Sequence, residues 1–387
     1  MPGLDPGIHP LRRKLDCRIK SGNDEGRSWR NTTEKNKSMP QESLRIGKAE
    51  LTAFVAAVFA AVGLSKEHAA EWAKMLVWAN LRGTDSHGII RIPRYIDLIN
   101  AKSINPAPNI RVERKPGSAA VVLEADRAPS AVALTRAVAE AVTVARDVGV
   151  GWCAARHLTH TGAIGYFALQ AAEAGFAGIV MSASGPMMIY PGSRVAAVSS
   201  NPIAFAIPRK GGQPYLLDFS TGVVANGKIM GAADRGEAIP TGWGVDKDGR
   251  DTTDPKKVEN VLPMAGIKGA GLSFMIECLT SLLLSEPRIA PDLENWAIGD
   301  DPFLNGSVIA IDPGAFGDRD RFLREAERLG TAIAGLARAE GVKKIMLPGE
   351  RGDAIRAERE ASGIPIPKGT WQRIAKAAQA VGVTPPM

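Results

Sequence analysis

Between Ala120 and Leu217 the chain alternates short apolar runs with longer segments of helical period, and this alternation constrains the fold more than any other feature. The runs near 120–123, 150–155, 177–182, 203–207 and 215–217 have strand length, whereas Ala131–Val148 and Ala163–Ala174 repeat apolar residues at helical spacing. Strands interleaved with helices bury their faces in an α/β architecture around a central sheet. A further strand is expected at Val308–Ile311. The commonest dinucleotide-binding form of that architecture opens on Gly-x-Gly-x-x-Gly, and no such run follows a strand here. Gly269-Ala270-Gly271 lacks the third glycine, so an ordinary Rossmann domain is unsupported. A Walker loop is also missing, because no Ser or Thr follows Lys268. Nor is there a hydrolase elbow, because Ser182 stands where its first glycine would be.

Helical patterns flank this middle. Leu51, Phe54, Val55, Val58, Phe59 and Val62 form one apolar stripe, Gly63 stops it, and Ser65 caps a second helix through Trp78. A short third helix is expected around Ile90–Ala101, an apolar one at Gly271–Leu284, and three more near 320–339, 353–361 and 371–380. Asp248-Gly249 marks a hairpin turn. Residues 1–40 carry no sustained period and read as a disordered tail ahead of a natural start at Met39. They hold nine Lys/Arg against five Asp/Glu, so most of the net +7 belongs to the tail, and nucleic acid is not an expected partner. The longest apolar stretches, 51–64 and 272–284, fall short of the roughly 20 residues of a bilayer span. Cys17, Cys153 and Cys278 are too few and too scattered for a disulfide framework, which favours a reducing compartment, the cytoplasm.

Four segments have residue types suited to chemistry. In Asp85-Ser86-His87-Gly88, the histidine opens a helix on which Arg91 and Tyr95 follow at +4 and +8, placing all three along one face. That combination suits a small carboxylate whose neighbouring carbon changes oxidation state, with Arg gripping the carboxylate and His exchanging a proton. An ordinary capped helix start with surface arginines fits the same spacing. Arg156-His157-Leu158-Thr159-His160-Thr161-Gly162 lies between a strand and a helix, where free N–H groups attract anions and a nearby imidazole stays neutral. Its His-x-x-His spacing leaves open a metal-dependent hydrolase using His157 and His160. Asp218-Phe219-Ser220 ends a strand, as Ser184 does, and could meet ribose hydroxyls and phosphate or simply cap a helix. Lys268, within Gly266–Gly271 ahead of an apolar helix, could reach a phosphate.

Taken together, these segments resemble the malate/L-lactate dehydrogenase family of NAD(P)-dependent oxidoreductases, whose fold is not Rossmann. The resemblance runs from about Lys48 to the C-terminus. It is carried by Asp85–Gly88 with Arg91 and Tyr95, His160-Thr161-Gly162 with Gly165-Tyr166-Phe167, Ser200-Asn201-Pro202, Asp218–Thr221, Pro240–Trp243, Lys268-Gly269 and Leu347–Glu350. It implies a mixed-sheet NAD(P)-binding domain at 119–317 and a helical substrate and dimerisation domain built from 41–118 with 318–387. It further implies hydride exchange between NAD or NADP and C2 of a small 2-oxo or 2-hydroxy acid, in a homodimer. His87 paired with Ser86 would move the proton, or His160 would, with Arg91 and Tyr95 on the substrate. His160, Ser184, Asp218, Phe219, Ser220, Lys268 and Gly349 would line the cofactor, and no metal is implied. Two departures stand out: Ile267 replaces a frequent His before Lys268, and Lys228 stands beside Gly227 where related cyclic imine reductases carry an acid. The second weighs against imine reduction, which is retained as the alternative.

Overall fold

The computed structural model describes residues 43–288 and 303–386. The expected tail and Met39 start lie outside the described residues. Along the chain, β1 (Ser43–Ile46) leads into α1 (Lys48–Ala61) and α2 (Lys66–Leu81), then two 3-10 turns and α3 (Ile92–Asn100). β2 (Arg111–Arg114), β3 (Ala120–Glu124), α4 (Ser130–Val148), β4 (Val150–Leu158), α5 (Gly165–Glu173) and β5 (Ala177–Ala183) follow. Next come β6 (Met188–Ile189), β7 (Ala196–Val198), β8 (Pro202–Ile207), β9 (Tyr215–Ser220) and α6 (Asn226–Arg235). The chain continues through β10 (Gly244–Val245), β11 (Asn260–Val261), α7 (Ile267–Thr280), β12 (Leu304–Ile311) and α8 (Arg319–Ala334). It closes with α9 (Glu350–Ser362), β13 (Ile364–Pro367) and α10 (Lys368–Ala380).

Seven strands form one mixed sheet in the order β2-β3-β4-β12-β5-β8-β9, in which only the β3–β4 pair is parallel. That pair needs a crossover, and α4 supplies it. Its small and apolar residues Ala133, Leu134, Ala137, Ala141 and Ala145 recur on one face, are fully buried, and let the helix lie close on the sheet. Where α4 crosses β4 only glycine fits, since a Cβ on Gly151 would lie 2.0 Å from the Ala141 carbonyl oxygen. Fully burying Leu134 contributes about 2 kcal/mol. The opposite face is covered by α7, whose Ile276 packs with Met181 and Ile203.

The two ends of the described residues come together: β1 pairs antiparallel with β13 across more than 300 positions, a pairing that local pattern does not reveal. α7 begins at Ile267, four residues before the expected Gly271, and continues into a 3-10 turn at Leu282–Leu284. Together these 18 residues are long and apolar enough to cross a membrane by length and composition. In this fold, however, Ser273 Oγ donates to the Ser199 carbonyl (2.6 Å), and Ser307 Oγ on β12 donates to the Leu279 carbonyl (3.0 Å), tying the helix to the sheet. The hairpin turn at Asp248-Gly249 forms as expected: Gly249 has φ 78°, and Asp246 and Arg250 are joined through a backbone bond of 2.9 Å.

Candidate active site

The C-terminal ends of β4, β5 and β9, the loop after α2, the start of α6 and the start of α9 enclose one cavity of about 670 Å³. That is within the range of roughly 300–1,000 Å³ usual for ligand pockets. Its wall includes Ser86, His87, Arg91, His160, Ser184, Asp218, Phe219, Ser220 and Gly349, so most of the residues singled out from sequence converge. Arg82, Thr161, Lys228 and Arg351 also face it. Of these, Arg82 and Arg351 had no local signal; they reach the wall through tertiary packing alone.

His87, Arg91 and Tyr95 do not share one helical face as expected. Asp85–His87 and Ile89–Arg91 are separate 3-10 turns, broken by Gly88 in extended backbone, and the α-helix starts only at Ile92, with Pro93 in its first turn. Gly88 is required for steric reasons, because a Cβ there would lie 2.0 Å from Asn80 Oδ1. The fold-back nevertheless brings His87 and Arg91 to the same wall. Ser86 Oγ lies 2.9 Å from His87 Nδ1, and Arg91 Nε donates to the Ser86 carbonyl at 2.7 Å, leaving its outer N–H groups for a ligand.

Tyr95 is placed differently from its expected substrate contact. It is 1% exposed, behind the wall, packed on Trp72 (4.6 Å), which is stacked on Phe59 (4.1 Å). Its hydroxyl lies 2.8 Å from His160 Nδ1, the one acceptor bonded to it among the described residues. A buried hydroxyl that donates to Nδ1 leaves the His160 proton on Nε2. The His160 and His87 rings stack with centroids 5.7 Å apart. Burial and then the Arg91 charge lower the His87 pKa to about 4, and burial, Arg91 and His87 hold His160 well below the usual imidazole range. Both rings are therefore neutral at pH 7.

Among the described residues Asp218 is the one carboxylate on the wall, and its Oδ2 accepts the Gly165 N–H at 2.9 Å. Burial pushes its carboxyl up to about 6, opposed by that N–H and by Arg82. Arg91, Lys228 and Arg351 have no carboxylate partner among the described residues, so the wall is cationic and suits anionic ligands. Gly349, at φ 94°, begins α9, and Ser184 Oγ lies 2.6 Å from Ser199 Oγ. Free N–H groups at the start of α9, these hydroxyls and the Asp218 carboxylate match the phosphate and ribose groups of a dinucleotide. Lys268 is exposed on the first turn of α7 and does not reach this cavity.

The hydrolase alternative is overturned by geometry. His157 Nδ1 lies 3.0 Å from both Glu124 oxygens and its Nε2 3.1 Å from Glu286, so both ring nitrogens are engaged away from His160. Among the described residues no group of three His, Cys, Asp or Glu side chains is arranged to hold a metal.

A cationic cavity at the strand ends of a mixed sheet, with two neutral imidazoles beside the outer N–H groups of Arg91, has the chemistry to take a small anionic ligand. A malate/L-lactate dehydrogenase family model matches residues 46–375, and the chain belongs to that family. It is 33% identical over 332 residues to ureidoglycolate dehydrogenase (NAD(+)) of Escherichia coli K12, covering 85% of this chain and 94% of the relative. Malate dehydrogenase from Pyrococcus horikoshii OT3 superposes with a TM-score of 0.79 at 29% identity, covering 89% of this chain and 97% of the other. The delta1-piperideine-2-carboxylate reductase from Pseudomonas syringae pvar. tomato gives 0.77 at 30% identity, covering 86% and 99%.

Proposed function

We propose that the protein is a dehydrogenase that transfers hydride between NAD or NADP and C2 of a small 2-oxo or 2-hydroxy acid. One observation carries this reading: the free guanidinium face of Arg91 and the neutral rings of His87 and His160 share one cavity wall. When bound, the nicotinamide supplies or accepts the hydride. In reduction, the C2–O π pair leaves carbon as hydride arrives, and the oxygen takes up one proton. Arg91 holds the carboxylate through two parallel N–H bonds, fixing C2 in register. His87, whose Nδ1 faces Ser86 Oγ, is neutral and takes up the hydroxyl proton in oxidation, becoming imidazolium; in reduction it first gains a proton from solvent and then passes it to the oxygen. His160, with its proton on Nε2 by virtue of Tyr95, donates to the same oxygen as charge grows there. Asp218, Phe219, Ser220, Ser184 and Gly349 form the cofactor side of the wall, and the sheet portion 119–317 serves as the cofactor domain.

The protein acts in the cytoplasm as a homodimer, needing neither nucleic acid nor membrane. Dimerisation is supported by the apolar outer face of α7 and the following turn, where Met275, Leu282 and Leu283 are each more than half exposed. Light scattering gives the mass in solution.

The function is tested by incubating purified protein with NADH or NADPH and a panel of 2-oxo acids and a cyclic imine acid. Loss of nicotinamide absorbance with a 2-oxo acid supports the reading. Turnover of the imine alone transfers it to the reductase alternative, and no loss with any substrate defeats it.

A further inference from the structure

The turn carrying Ser86 and His87 is held by residues that do not touch the cavity. Asp85 accepts three N–H groups: Asn80 Nδ2 at 2.7 Å and two from the Arg359 guanidinium, at 2.7 and 3.1 Å. Asn80 is 4% exposed, and its Oδ1 accepts the Ile89 N–H at 2.8 Å. The residues two before and two after His87 therefore hang on a single buried amide. Arg359 also donates to the Asn80 main-chain carbonyl, so one guanidinium from α9 grips both ends of the support. A second tie runs parallel to it, where Arg82 donates to Asp353 and to the Gly349 carbonyl.

Magnitude separates two roles for this clamp. The Asp85 side chain is 49% exposed, and an ion pair open to water contributes little to stability. A planar two-pronged contact restricts orientation strongly, and small displacements of a proton-transfer group are costly to rate. We propose that Arg359 is a positioning residue for the Ser86–His87 pair, acting through Asp85 and Asn80 without touching substrate or cofactor. The inference rests on the reading that His87 exchanges the proton.

The test compares Arg359→Met, Arg359→Lys, the near-isosteric Asp85→Asn and the double variant Asp85→Asn/Arg359→Met, in the full chain. Arg359→Met lowers kcat by about 100-fold, with the cofactor Kd and Tm held near wild type. Arg359→Lys restores only part of the rate, because it keeps charge and loses the fork. The double variant is no slower than Arg359→Met, since the Arg359–Asp85 contact that Asp85→Asn weakens is already lost in that single variant. If Arg359→Met folds poorly, Asp85→Asn alone carries the same kcat test. A readout independent of turnover is the rate at which diethylpyrocarbonate acylates His87, followed by peptide mass, which rises several-fold in Arg359→Met. Unchanged kcat in Arg359→Met while wild type turns over, multiplying losses in the double variant, or an unchanged His87 acylation rate overturns the proposal. Absence of wild-type turnover defeats the functional reading instead, and the acylation rate still decides this one.

Discussion

Replacing His87 with Gln converts its burial into a measurable pH dependence of stability. In the folded protein the ring titrates at about 4 instead of 6.5, because burial and then Arg91 oppose its positive form. Above pH 6.5 neither folded nor unfolded chain protonates this group, and it contributes no slope. As pH falls from 6.5 towards 4, the unfolded chain takes up a proton that the folded site refuses, so stability is lost. Each unit of pKa difference corresponds to about 1.4 kcal/mol, and the whole interval to about 3 kcal/mol, reduced somewhat because the ring faces an open cavity. Urea unfolding of wild type and His87→Gln at a series of pH values measures the difference between them and cancels titrations common to both. Wild type is expected to lose about 2–3 kcal/mol relative to the variant between pH 7 and 4. A difference that stays constant over that interval refutes the account of His87 as a buried neutral imidazole.

Three further outcomes follow from named contacts. Tyr95→Phe removes the partner of His160 Nδ1, and is expected to cost about 1–2 kcal/mol of stability and roughly tenfold in kcat, read by urea unfolding and steady-state kinetics. Lys228→Met removes a cation on the wall that has no carboxylate partner among the described residues, so KM should rise more for 2-oxo acids with a second anionic group than for monocarboxylates. Gly88→Ala drives a Cβ into Asn80 Oδ1; swinging that amide away leaves buried groups unpaired and costs about 2–5 kcal/mol, while adding Asn80→Ala relieves the clash and makes the pair less than additive in urea unfolding.

Much of the fold was legible because its signals are local. Strand and helix periods in 120–217, the Ser65 cap and the apolar stripe of α1 all formed where their spacing required, since each depends on residues within a turn or two. Of the site residues read from sequence, Ser86, His87, Arg91, His160, Ser184, Asp218, Phe219, Ser220 and Gly349 reached one cavity. Two placements differed for identifiable reasons. Tyr95 turned inward, because Gly88 and Pro93 break the helical register between it and His87 and its ring packs on Trp72. Lys268 stayed outside, because α7 starts earlier than the run of glycines suggests.

By itself the sequence determined the alternation of strand and helix, the lack of a glycine-rich dinucleotide loop, and which side chains are chemically able to bind an acid and move a proton. Tertiary structure alone decided that β1 pairs with β13, that Tyr95 orients His160, and that Arg359 grips Asp85 from 274 positions away. Contacts within a few residues are written into backbone spacing, whereas contacts across the chain exist only once burial has closed the loops between them, and no local period records where those loops will close.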